Sequence, residues 1–202
     1  MRALTSLVLA STFLIACGSD EIDSDEEARR AYLALDESIA KSLQLGFDGF
    51  NAASSANIAP QVTVGDGSGE LTITGQVDQG ASANKGMRLR VGMVDYTDGE
   101  ILIDPDGDET FLVVFNTDAD PALQPSLDLM MMNIPTGTLQ GTLVGVYVME
   151  GDLEGAAELN LTFSGQLQED GAGGVERVPG TTTVTGTATT DDDGVFDVEI
   201  TL

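Results

Sequence analysis

From Val62 onward, apolar side chains recur at every second position, and this period of two commits most of the chain to strands with one buried face. Leu71, Ile73 and Val77 alternate with Thr72, Thr74 and Gln76, and Met87, Leu89, Val91 and Met93 run opposite Arg88 and Arg90. Leu159, Leu161, Phe163 and Leu167 repeat the pattern, as do Phe196, Val198, Ile200 and Leu202 at the end of the chain. Asp-Gly pairs at 66–67, 98–99, 106–107, 170–171 and 193–194 punctuate these runs where hairpin turns belong. The stretch from Phe111 to Phe115 is apolar on both faces and reads as a central strand. Glycines 75, 141, 145, 165 and 186 fall on the apolar line, which predicts a strongly curved sheet, either half-open or closed into a barrel.

Ahead of the strands the period is close to 3.6. Ala28, Tyr32, Leu35, Ile39, Leu43 and Gly46 step by three and four and draw one face of a helix. Ser24 stands where an N-cap belongs, with Glu27 three residues on to complete a capping box. Gly46 and Gly49 read as the stop signal. The predicted architecture is mainly β with one N-terminal helix. A curved antiparallel meander sheet or partial barrel of about eight to ten strands packs on an amphipathic helix, with the helix over about 24–46 and the β region over about 61–202.

The chain has 202 residues with 34 acidic and only 8 basic side chains, for a formal charge of −26. A surface of that sign repels nucleic acid and anionic headgroups, so neither is expected as an electrostatic partner. There is no histidine and a single cysteine. The commonest general base and the usual zinc, copper, haem and iron–sulfur ligand sets are thereby missing. Neither a nucleophile-elbow nor a P-loop pattern occurs, and no catalytic residues or enzymatic activity are expected. A membrane barrel would need aromatic girdles, yet Trp is absent and aromatics make up 5% of the chain.

The first residues give an address. Arg2 precedes an uncharged run from Ala3 to Ala16, too short for a spanning helix, which needs about 20 apolar residues. That run ends in Leu14-Ile15-Ala16-Cys17-Gly18, which resembles the lipobox of bacterial lipoprotein precursors. The resemblance covers only these residues. It implies a signal peptide over 1–16, lipid on Cys17, an acidic tether over 17–23 and one domain over 24–202. It further implies membrane attachment through that lipid, in the cell envelope, with the outer membrane favoured because Gly18 rather than Asp follows the cysteine. A lone cysteine in an exported chain calls for such a reason, and two or more acyl chains anchor stably where one does not.

Two other features carry candidate chemistry. Asp104-Pro105-Asp106-Gly107-Asp108 spaces carboxylates as at positions 1, 3 and 5 of an EF-hand loop, making Asp104, Asp106 and Asp108 the calcium candidates, with Glu109, Asp118 or Asp120 to complete the set. The sixth and twelfth positions depart from that loop, and an acidic turn without metal is the simpler reading, as it is for Asp191-Asp192-Asp193. Met130, Met131 and Met132, with Leu127 and Leu129, offer adaptable apolar surface suited to core or pocket. The expected function is that of a noncatalytic envelope lipoprotein with a structural or interaction role towards envelope or surface proteins. The alternatives are a carrier or chaperone holding a lipid or other apolar ligand between helix and sheet, and calcium-dependent surface adhesion. No cofactor other than calcium is expected.

Overall fold

The computed structural model describes residues 21–103, 109–171 and 174–202. Cys17 and the loop residues Asp104, Asp106 and Asp108 lie outside the described residues. One helix, α1 (Asp25–Ala52), precedes twelve strands. In chain order these are β1 (Asn57–Val64), β2 (Ser68–Val77), β3 (Lys85–Thr97), β4 (Ile101–Leu102), β5 (Thr110–Phe111), β6 (Val113–Asn116), β7 (Ser126–Met132), β8 (Thr138–Gly151), β9 (Gly155–Glu169), β10 (Val175–Arg177), β11 (Thr183–Thr190) and β12 (Val195–Thr201).

Ten strands form a single antiparallel sheet, and β4 and β5 pair as a separate ribbon. The sheet has eight strand positions, two of which are filled by two collinear segments. Between β3 and β8, β7 pairs with Lys85–Arg90 of β3 while β6 meets Tyr96, so an excursion over 117–125 splits one strand in two. Beside β9, β10 pairs with residues 167–169 and β11 with residues 157–164, and the turn over 178–182 separates them. Once these pairs are merged, every connection is to the neighbouring position, which makes the topology a meander. The stretch from Phe111 to Phe115 is therefore not one central strand: Phe111 belongs to the β4–β5 ribbon, and only Val113–Asn116 enters the main sheet.

The edge strands β1 and β12 both pack against α1, together with β2, β3 and β10. No ladder joins β1 to β12 among the described residues, so the sheet is a curled, open barrel with the helix in its gap. The helix suits this position because its buried stripe is narrow: Ala28, Ala31, Ala34, Ser38, Ser42, Gly46 and Gly49 let both edges approach, while Tyr32, Leu35, Ile39 and Leu43 reach the interior. From the sheet side, Leu71, Ile73, Met87, Leu89, Leu127 and Phe115 are fully buried. Leu127, Leu129 and Met131 of β7 join this core, whereas Met130 points outward and is 47% exposed. Outward positions carry Glu70, Thr72, Arg88, Asp128, Thr162, Thr185 and Glu199, together with exposed valines at 62, 94, 144, 146 and 148.

The helix runs six residues beyond the stop that Gly46 and Gly49 suggest, and β1 begins at Asn57 rather than 61. Neither glycine is a C-cap. A Cβ on Gly46 would stand 2.5 Å from the Met87 sulfur, and one on Gly49 would stand 2.9 Å from Cδ1 of Ile58, so both serve close packing against the sheet. The helix ends at Ala53, whose extended backbone closes the last turn by donating its N–H to Phe50 O. At the other end Ser24 Oγ accepts from Glu27 N (3.3 Å), and the Glu27 carboxylate accepts from Asp23 N (2.8 Å), one residue further back than in a standard capping box.

Candidate functional site

Seven of the eight basic residues lie among the described ones, and each is engaged by the protein itself. Arg177 on β10 grips Asp36 on α1 through two parallel bonds of 2.8 and 2.7 Å, and Tyr32 donates to the same carboxylate at 2.8 Å. Both partners are largely buried, and although burial opposes the Arg177 charge, the bonds to Asp36 outweigh it and raise its pKa. Lys41 donates to Asp98 (2.5 Å) and Asp66 (2.9 Å), in the turns after β3 and β1. Tyr96 donates to the other Asp98 oxygen at 2.7 Å, and burial together with that carboxylate pushes its hydroxyl pKa well up. Glu37 lies close by, its pKa raised by burial and by the Asp98 charge.

Asp36 and Lys41 are five residues apart, about 140° around a helix axis. The two clusters thus tie opposite flanks of α1 to opposite ends of the curled sheet. Of the rest, Arg29 and Arg30 bond Glu26, whose pKa falls to about 2 chiefly through the Arg29 bond. Arg88 bonds Asp78, Arg90 donates to Gln124 O, and Lys85 donates to the carbonyls of Asp78 and Gly80 beneath the Phe50 ring.

The sequence candidates that can be placed are not assembled into a metal site. Glu109 stands 3.6 Å from Arg30, and Asp118 and Asp120 accept from backbone N–H groups two residues ahead in their own loop. Asp192 accepts from Thr190 Oγ1 and Gly194 N, closing the β11–β12 turn. Among the described residues no group of three or more His, Cys, Asp or Glu side chains is arranged to hold a metal.

Depressions of different character mark the surface of the described residues. An open trough of about 620 Å³ crosses β3, β7, β8, β9 and β11, lined by threonine and serine hydroxyls, Gln140, the charged Arg88 and Asp128, and the apolar Met130 and Phe163. A smaller hollow of about 250 Å³ lies where Ile22 and Met149 meet the β11–β12 turn. A third, of about 710 Å³, sits at the C-terminal end of α1, between the helix, the turn after β7 and the β9–β10 hairpin. Its wall is apolar, from Phe47, Phe50, Ile134, Pro135 and Val175, and carboxylates of Asp48, Glu169, Asp170 and Glu176 stand around it. Phe47 and Phe50 escape the sequence reading because they lie beyond the predicted helix end. The remaining walls come from Lys85 and from segments more than 80 residues away in the chain, with no motif to link them.

The chain matches no protein-family model, no curated protein and no solved structure in comparisons with each.

Proposed function

We propose that the chain is a lipid-anchored, noncatalytic protein of a bacterial cell envelope, in which the helix–sheet domain is a structural or interaction module held on the outer membrane through Cys17. The anchor follows from the resemblance of Leu14-Ile15-Ala16-Cys17 to a lipobox. With α1 starting at Asp25, the tether is about eight residues, at most about 30 Å when extended. The domain would then ride close to the bilayer surface.

The observation that favours a module over a carrier is the packed interior. Tyr32, Leu35 and Ile39 from the helix meet Leu71, Ile73, Met87, Leu127 and Phe115 from the sheet, all at most 2% exposed, where an apolar cargo would need space. A carrier of this architecture would hold the same helix over an empty trough.

Detergent partition of the full chain, expressed in a Gram-negative host, tests the anchor. The expected result is recovery in the detergent phase with residues 1–16 removed and acyl mass on Cys17, and recovery of Cys17→Ser in the aqueous phase. A wild-type chain that stays aqueous with a free thiol would overturn the reading. In-cell crosslinking then identifies the envelope partner.

A further inference from the structure

The depression at the C-terminal end of α1 breaks a local electrostatic rule. A helix C-terminus carries the negative end of the macrodipole and is stabilised by Lys or Arg in its last turn. Here the last turn holds no basic residue, and Asp48 adds a carboxylate beside it. Glu169 and Glu176 face the same space from the β9–β10 hairpin. Neither the Asp48 nor the Glu169 carboxylate has a hydrogen bond or ion pair with any described residue. The one basic side chain at the site, Lys85, is 4% exposed and already committed to two carbonyls and the Phe50 ring. Glu176 accepts from Gln168 (2.8 Å), so Asp48 and Glu169 are the two exposed carboxylates here that remain open to a ligand.

The floor is as specific as the rim. Phe47, Phe50 and Ile134 are only partly buried although they pack on the core, and with Lys85 over the Phe50 ring (4.3 Å) the apolar surface left open is that of Phe47, Ile134 and Pro135, beside Asp48 and Glu169. At about 710 Å³ the space falls within the range of small-molecule sites. Aromatic faces beneath carboxylates recognise an organic ammonium, by cation–π attraction and by charge.

We infer that this depression is a binding site for a small organic cation with an apolar body, such as an aryl- or alkylammonium. The apolar part lies on Phe47, Ile134 and Pro135, and the ammonium is held by Asp48 and Glu169. This goes beyond the anchored-module reading and does not depend on it, because detergent partition tests the anchor and ligand binding tests the site.

The test uses the full chain, purified in a detergent with an uncharged sugar headgroup. Binding of 2-phenylethylammonium, 2-phenylethanol and phenylacetate is followed by saturation-transfer NMR against a blank of empty micelles. The cation is expected to bind, the alcohol at least tenfold more weakly, and the anion not at all. Asp48→Asn combined with Glu169→Gln should weaken cation binding about tenfold. Removing the same charge on β12 with Asp197→Asn and Glu199→Gln should leave it unchanged, with circular dichroism confirming the fold of both variants. Equal binding of all three probes would overturn the proposal, as would equal loss in the two double variants. Full competition by calcium chloride at matched ionic strength, or binding of a Lys/Arg-rich peptide but not of the small cation, would overturn it as well.

Discussion

At the level of single residues, the scarcity of positive charge makes each basic side chain structural. Arg177 and Asp36 join segments 141 residues apart, with side chains only 13% and 18% exposed. Such a pair adds little over an apolar pair of the same size, because its desolvation offsets its attraction. Removing one partner is different, since the other is left charged and buried. Asp36→Asn should therefore destabilise the fold by about 3 kcal/mol in urea unfolding, since it leaves one amide oxygen where Tyr32 and Arg177 share two carboxylate oxygens. Replacing both partners together, Asp36→Leu with Arg177→Met, should recover most of that loss. A double variant as unstable as the single one would mean that the ion pair itself, rather than the orphaned charge, carries the stability.

At the level of elements, curvature rests on glycines at fixed points. Gly186 in β11 has φ +152, and a Cβ there would lie 2.1 Å from Asn160 O on the neighbouring β9, a backbone atom that cannot move aside cheaply. Gly180, in the turn before β11, also has positive φ (+77) but open space around it. Gly180→Ala should cost about 1 kcal/mol, from backbone strain alone, and Gly186→Ala at least about 3 kcal/mol. Equal costs would show that close approach of the strands is not what these glycines serve. The curl was legible in the sequence because glycine on an apolar line has few other uses. The helix end was not, because Gly46 and Gly49 look the same whether they stop a helix or seat it against Met87 and Ile58. The split of one strand position into β6 and β7 was likewise hidden, since register depends on partners far along the chain. The walls of the cation site were hidden for the same reason, while the acidic runs that spacing did bring forward prove, where described, to be turns.

At the level of the whole molecule, the balance between repulsion and attraction fixes the sign of the salt response. The formal charge is −26, five of the seven described cations are ion-paired and the other two, Lys85 and Arg90, bond backbone carbonyls, so carboxylates far outnumber cations on the surface. At 10 mM salt the screening length is about 30 Å, comparable to the width of the domain, so the carboxylates repel collectively; at 1 M it is about 3 Å. The attractive pairs Lys41–Asp98 and Arg177–Asp36 are short and mostly buried, and salt screens them far less than it screens the surface. Raising sodium chloride from 10 mM to 1 M should therefore stabilise the fold, raising Tm by at least about 4 °C, where 1 kcal/mol corresponds to about 2–4 °C for a chain of this size. Thermal scans followed by circular dichroism check the sign directly. A falling Tm would mean that surface attraction outweighs repulsion, contrary to the pairing described. Calcium chloride at matched ionic strength separates screening from a specific site. If screening is the whole effect, the two salts give equal shifts. An additional rise at 1 mM calcium, abolished by Asp106→Ala, would assign to the acidic loop a metal-binding role that diffuse charge does not supply.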